Sequence, residues 1–221
     1  MFQERRFVDV ILPKNSFRVI LDAPHAASPK REYYTGAIVS GVALRCGVGG
    51  VISRVSRMIA DLNRGIDYSP ELGTQDLQRK AIKEHFKSME DILRHISCID
   101  GGRVTQPVLL VAVHGVKDEN AERHSCDVIV GTCHLGVCSE EVRDWLVDMF
   151  SSLLEKQKVP SRVKCEVPEY SGHPSLIEFR NIFGEKFNVI QLELSKKLRT
   201  EFREEVIESL LIICKSFGKY F

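Results

Sequence analysis

The sequence predicts an α/β protein, a three-layer αβα sandwich with a mixed, mostly parallel sheet. Strand-like apolar runs alternate with amphipathic helical segments, which places helices on both faces of one sheet. Residues 107–113 are apolar without polar alternation, as is typical of a strand covered on both faces. We find no linker, repeat or low-complexity tract, so residues 1–221 are expected to form a single domain.

In the first half of the chain, the hydrophobic pattern predicts strands and helices in alternation. Strands are expected at 17–22 and 51–55, with a short helix at 34–45 between them. Residues 58–60 also resemble a strand and lead into a turn-rich surface loop at 66–75. A long amphipathic helix follows over 77–96 and ends before Gly101 and Gly102.

The second half repeats this alternation and contains the clearest helix of the chain. Ser139, followed by two glutamates, is a good N-cap for a helix whose apolar residues continue to Leu154. A last helix is expected at about 200–217. Strands are predicted at 107–113, 126–131, 163–167 and 188–194.

Composition excludes several classes of protein. The 31 Lys and Arg residues balance 30 Asp and Glu, so no overall field attracts nucleic acid or a membrane surface. No window has the roughly 18 apolar residues of a transmembrane helix, and the first residues lack the apolar core of a signal peptide. Seven cysteines, an odd count without a C-x-x-C pair, favour a reducing cytoplasmic location over a disulfide framework.

Three polar side chains come where strand-like runs end: His25, His114 and Glu193. Ligand sites in open α/β sheets gather at the carboxyl ends of strands, and two imidazoles with a carboxylate are usual ligands of a mononuclear metal. Each residue also has a simpler interpretation. His25 could be a histidine of a surface loop, and His114 could be a hydrogen-bonded structural histidine. Glu193 could form an ion pair with Lys196 or Lys197.

A catalytic zinc site needs a third protein ligand and an open position. Glu32 is the nearest carboxylate downstream of His25 in a loop that can fold back, and Asp22 lies on the strand just before it. Glu32 alternatively fits an acidic residue at a helix N-terminus. We expect Glu32 to be the ligand.

Other polar residues suit substrate binding and proton transfer. Arg64 and Asn63 together can hold a carboxylate, with Arg57 assisting. His173, in a Gly-rich loop, can contact the substrate or a developing oxyanion, or simply lie at the surface. Glu193 beside a metal can accept a proton from water and pass it to a leaving amine.

These segments together resemble N-formylglutamate amidohydrolase-like proteins. The resemblance covers about residues 18–198 and follows that family's Pro-His-Ser/Ala-Gly, Asp-Leu-Asn-Arg, Asp-x-His-Ser/Gly and Gln-Leu-Glu motifs in order. The matching segments here are Asp22-Ala23-Pro24-His25-Ala26, Ser56 to Arg64, Val113-His114-Gly115 and Ile190 to Leu194, with Asp127 to Gly131 also fitting.

The resemblance implies a phosphorylase/hydrolase-like sandwich, similar in plan to zinc carboxypeptidases and phage poly-γ-glutamate hydrolase. It implies one Zn²⁺ per chain, bound by His25, Glu32 and His114, with Glu193 as catalytic base. Asn63 and Arg64 would hold a carboxylate of a small amide substrate. We therefore expect a zinc amidohydrolase acting on an N-acyl or isopeptide amide, with the oligomeric state, homo-oligomer included, left open.

The sequence departs from the family pattern at several points. The seven positions from His25 to Glu32 exceed the His-x-x-Glu spacing of carboxypeptidases, and Ala27 stands in place of a glycine. Ala112 replaces an acidic residue two positions before His114, which removes an expected partner of that ligand. The chain looks short for a formylglutamate hydrolase, which suggests a different substrate. A binding protein without turnover and a metal-dependent esterase or deacetylase are the alternatives.

Overall fold

A mixed eight-stranded sheet runs through the protein, as seen in a computed structural model that describes residues 1–221. Its strand order is β1-β2-β4-β3-β7-β10-β8-β9, and β5 and β6 form a separate hairpin. The strands are β1 Phe2–Glu4, β2 Val8–Ile11, β3 Val19–Ala23, β4 Gly49–Ser53, β5 Ile99–Asp100, β6 Arg103–Val104, β7 Val108–Gly115, β8 Val128–Gly131, β9 Val163–Cys165 and β10 Phe187–Leu194.

The four central strands, β4, β3, β7 and β10, are parallel, and helices cover both faces of the sheet. Antiparallel pairings occur towards the edges, where β2 joins β4 and β8 joins β10. The predicted three-layer fold with a mixed, mostly parallel sheet is therefore confirmed. The helices are α1 Thr35–Cys46, α2 Gln75–His95, α3 Asp118–Arg123, α4 Glu140–Lys156, α5 Ile177–Phe183, α6 Lys196–Thr200 and α7 Arg203–Tyr220.

Alternating side chains of β7 divide between two apolar layers, because successive residues of a strand point to opposite faces. Leu109, Val111 and Val113 belong to the layer that includes α1, α4 and α7. Val108 and Leu110 belong to the layer that includes α2 and α5. Since β7 is buried from Val108 to His114, its apolar run is that of a strand covered on both faces.

The predicted start of the fourth helix is confirmed. Ser139 caps α4 by accepting a hydrogen bond from the backbone N–H of Val142 at 3.3 Å. Thr74 caps α2 in the same way, through Leu77 N–H at 3.2 Å. None of the seven helices combines the length and the apolar character needed to cross a membrane.

Short elements account for most differences from the sequence prediction. Residues 58–60 form turns, not a strand: Ile59 and Ala60 N–H both bond the carbonyl of Ser56. Three apolar residues are too few to distinguish a turn from a strand by periodicity. The short strands β1 and β2, the β5–β6 hairpin and the short helices α3, α5 and α6 were not predicted because each is also too short to show a clear periodicity.

Candidate active site

The candidate ligands meet in a cleft of about 320 Å³ at the carboxyl ends of the central strands. His25 lies just beyond β3, while His114 and Glu193 are paired in register on β7 and β10. The rings of His25 and His114 lie 4.9 Å apart, centroid to centroid, at an angle of 74°. The parallel strands thus bring together residues that are far apart in sequence.

The donor atoms of His25, Glu32 and His114 all lie within 4.8 Å of one another. His25 Nδ1 is 2.9 Å from Glu32 Oε1, and His114 Nδ1 is 3.2 Å from Glu32 Oε2. The guanidinium Nη2 of Arg57 contacts both His25 Nδ1 and Glu32 Oε1, so these two atoms already interact with a positively charged group. Two imidazole nitrogens and a carboxylate suit catalytic zinc, which leaves the fourth position open. The residues present therefore fit a metal ion.

Asp61 fixes the orientation of the His25 ring. His25 Nε2 lies 2.7 Å from Asp61 Oδ1, which also accepts the backbone N–H of Asn63 at 2.9 Å. A metal-binding histidine commonly donates its second N–H to a carboxylate in this way, which directs the other nitrogen to the metal. Asp61 is a partner that the sequence did not indicate, although it is the first residue of the Asp61-Leu62-Asn63-Arg64 segment.

Burial and charge set the protonation of the cluster. Burial alone raises the pKa of Glu32, but the charges and hydrogen bonds of His114 and His25 hold it well below its usual value. Burial alone lowers the pKa of His114, but Glu32, Glu193 and Asp22 together raise it to about 9. Glu32 is therefore an ionised carboxylate, ready to bind a cation.

Glu193 is buried beside this cluster, with 5% of its surface exposed. Gln191 Nε2 donates to Glu193 Oε1 at 2.9 Å, while Lys196 and Lys197 are exposed and make no ion pair with it. Burial raises the pKa of Glu193, and the charge of His114 partly opposes this increase. A carboxylate with a raised pKa is better matched to proton transfer near neutral pH.

The predicted substrate-binding residues line the same cleft. Asn63 Nδ2 donates to Gln191 Oε1 at 3.4 Å, and the Arg64 side chain is 40% exposed, with Nε 3.8 Å from Asp61 Oδ2. His173 Nδ1 accepts the backbone N–H of Ser175 at 3.1 Å. Arg64 is thus the more accessible group for a substrate carboxylate.

Arg57 and Asp22 are two further charged residues near the candidate ligands. Arg57 lines the cleft and its Nη2 contacts both His25 and Glu32, so its role in substrate binding stays a prediction. Asp22 does not join the cluster, because its Oδ2 lies 3.0 Å from His85 Nε2. Of the two carboxylates considered, only Glu32 faces both histidines.

A buried arginine that the sequence did not indicate forms hydrogen bonds to three segments of the site. Arg199 donates from Nε to the Leu194 carbonyl at 3.0 Å, from Nη2 to that of Val116 at 3.3 Å, and from Nη1 to that of Tyr33 at 2.5 Å. These carbonyls come shortly after Glu193, His114 and Glu32 in the chain. The single guanidinium therefore connects the segments that carry three candidate residues.

Fold and site together define an αβα sandwich with a two-histidine, one-carboxylate cluster at the carboxyl edge of its sheet. N-formylglutamate amidohydrolase from Ralstonia eutropha JMP134 has this fold, with a TM-score of 0.71, 15% identity, and coverage of 97% of this chain and 99% of that one. A bacteriophage poly-gamma-glutamate hydrolase matches with a TM-score of 0.57, 12% identity, and coverage of 97% and 91%.

A gene product of Agrobacterium tumefaciens matches with a TM-score of 0.59 at 13% identity, over 97% of this chain and 94% of that one. No family model matches the sequence, and no curated protein matches it significantly. The resemblance seen in the sequence is therefore confirmed at the level of the fold. The chain is not short beside the Ralstonia N-formylglutamate amidohydrolase, contrary to expectation, because the match covers 97% of this chain and 99% of that one.

Proposed function

We propose that this protein is a zinc-dependent amidohydrolase that cleaves an N-acyl or isopeptide amide in a small substrate bearing a carboxylate. The main support is the clustering of His25 Nδ1, the Glu32 carboxylate and His114 Nδ1 within 4.8 Å, beside the buried Glu193. The fold shared with two proteins named as amide hydrolases supports the same class of reaction.

In the proposed mechanism, His25, Glu32 and His114 would hold a zinc ion, which would supply Lewis-acid activation of water and of the amide carbonyl. Glu193 accepts a proton as the water oxygen bonds to the carbonyl carbon. It returns that proton to the nitrogen as the C–N bond breaks, so that a carboxylic acid and an amine are released. Arg64 and Asn63 orient the substrate through its carboxylate.

Metal content and turnover test this function directly. We expect the purified protein to bind about one zinc per chain and to hydrolyse a member of a panel of N-acyl amino acids and γ-glutamyl amides. A chelator should remove both the zinc and the activity, and added zinc should restore both. A protein that binds no zinc under any of these conditions would contradict the proposal, and zinc binding without turnover on the panel would favour a binding protein.

Arg64→Ala tests the recognition of the carboxylate. Loss of a charged hydrogen bond worth about 1.5–3 kcal/mol should raise KM by about 10- to 100-fold for a carboxylate-bearing substrate. Steady-state kinetics should show no such increase for the matching amide that lacks the carboxylate. Arg94→Ala is the control, because Arg94 is an exposed arginine that does not line the cleft. Equal increases in KM for both substrates would contradict this role.

We also infer a reducing, cytoplasmic location. All seven cysteines are free thiols, and five of them are buried. Free cysteines of this kind persist where disulfides do not form. Fractionation of the native host, followed by detection with an antibody, would test the location.

A further inference from the structure

A buried acid–histidine pair lies behind the candidate metal site and has no part in the mechanism above. Asp22 of β3 and His85 of α2 are 2% and 1% exposed, and Asp22 Oδ2 lies 3.0 Å from His85 Nε2. Both side chains are polar groups beside the otherwise apolar layer between the sheet and α2. Burying a carboxylate and an imidazole is costly, so their presence requires an explanation.

Four buried polar atoms of this region lack hydrogen-bond partners: Asp22 Oδ1, His85 Nδ1, Arg57 Nε and His114 Nε2. Such unsatisfied atoms are rare in folded proteins. His114 faces Glu32 with Nδ1, the nitrogen that would bind the metal. Once Nδ1 binds a metal, the proton of the neutral ring is on Nε2, and this N–H needs an acceptor. Asp22 Oδ1 is a buried acceptor without a donor.

The register of the sheet places these two residues near each other. Asp22 pairs with Ala112 across β3 and β7, and Ala112 comes two positions before His114, so all three side chains are on the same face. Ala112, between them on this face, contributes only a methyl group.

We propose that Asp22, held in place by His85, is a positioning residue for His114, accepting the Nε2–H of His114 at Asp22 Oδ1 through one bridging water. This inference rests on the proposed metal site. The hydrogen bond selects the tautomer with a free Nδ1, fixes the plane of the ring and strengthens His114 as a ligand. Asp22, on the neighbouring strand β3, thus takes the place of the acidic residue that Ala112 replaces.

Zinc affinity, measured by competition with a chelating dye, tests the proposal without any assay of activity. In the full chain, Asp22→Asn replaces the carboxylate by a weaker, neutral acceptor and should lower zinc affinity by about 10- to 100-fold, the usual effect of mutating such a partner. Circular dichroism and the thermal melt of the metal-free protein should remain close to wild type. Asp9→Asn on β2, which does not line the cleft, is the control and should bind zinc like wild type. Unchanged affinity in Asp22→Asn would overturn the proposal.

A second pair of variants covers the case in which Asp22→Asn fails to fold. His85→Leu keeps the volume apolar but removes the donor to Asp22, so zinc affinity should fall. His85→Gln retains an N–H donor and should bind zinc more tightly than His85→Leu. Equal, wild-type affinity in both variants would count against the proposal.

The two proposals fail in different ways. If the wild-type protein binds no zinc, the proposed function is wrong. If the wild type binds zinc and Asp22→Asn binds it equally well, only the role of Asp22 is wrong. Cobalt(II) substitution adds a spectroscopic measure, since a change in the ligand field of the Asp22→Asn protein would indicate that the ring of His114 has moved.

Discussion

Glu193→Gln should lower kcat by about 10²- to 10⁴-fold while the protein still binds about one zinc per chain. Glutamine has nearly the same shape as glutamate but cannot accept a proton from water at neutral pH. Glu193 is also buried, so a carboxylate at the surface could not easily take over its role as the base. Single-turnover and steady-state kinetics, with metal analysis of the same samples, would measure both effects.

The separation of metal binding from turnover makes this variant informative. Glu201→Gln is the matched control, because Glu201 is exposed and lies outside the cleft, and its kcat should equal that of wild type. If Glu193→Gln retained wild-type kcat, Glu193 would have no role as a base. If it lost zinc as well as activity, the change would reflect the metal site instead.

The central strands and the candidate ligands could be predicted because each has a strong local signal. The apolar runs of β7 and β10 end in His114 and Glu193, and parallel strands present their carboxyl ends at one edge of a sheet. The proximity of His25 followed from the same argument. The position of Glu32 was harder to predict, because it depended on a loop that folds back towards His25.

The partners of these residues could not be predicted, because each partnership joins distant parts of the chain. Asp22 meets His85 across 63 positions, and Arg199 reaches the Tyr33 carbonyl across 166. A single sequence contains no periodicity that links such pairs. Asp61 is closer, 36 positions from His25, but an aspartate in a loop has many other uses.

Arg199→Met should both destabilise the fold and weaken metal binding. The change leaves the buried carbonyl of Val116 unsatisfied, which costs about 1–3 kcal/mol, and it removes one of the two hydrogen bonds to the Leu194 carbonyl, which keeps the Val116 N–H at 3.0 Å. We expect a loss of about 2–4 kcal/mol in the free energy of unfolding, measured in urea. Zinc affinity should also fall, because the segment that carries Glu32 loses its contact at Tyr33.

Two further variants separate the geometry of Arg199 from its charge. Lysine keeps the charge but lacks the planar fork that reaches three carbonyls at once, so Arg199→Lys should recover little stability. Gly115→Ala keeps Arg199 intact, but the added Cβ would lie 2.5 Å from its Cζ and displace the guanidinium. Arg94→Met, an exposed arginine, is the control and should unfold like wild type.

If Gly115→Ala and Arg199→Met lose similar amounts of stability and zinc affinity, the loss can be attributed to the hydrogen bonds of Arg199. The two substitutions disrupt the same hydrogen bonds by different routes, since one removes the guanidinium and the other removes only the space it occupies. The φ angle of Gly115 lies outside the left-handed region, so alanine there adds no backbone strain of that kind. Wild-type stability and zinc affinity in Gly115→Ala would show that the close packing of Arg199 against β7 does not hold the site together.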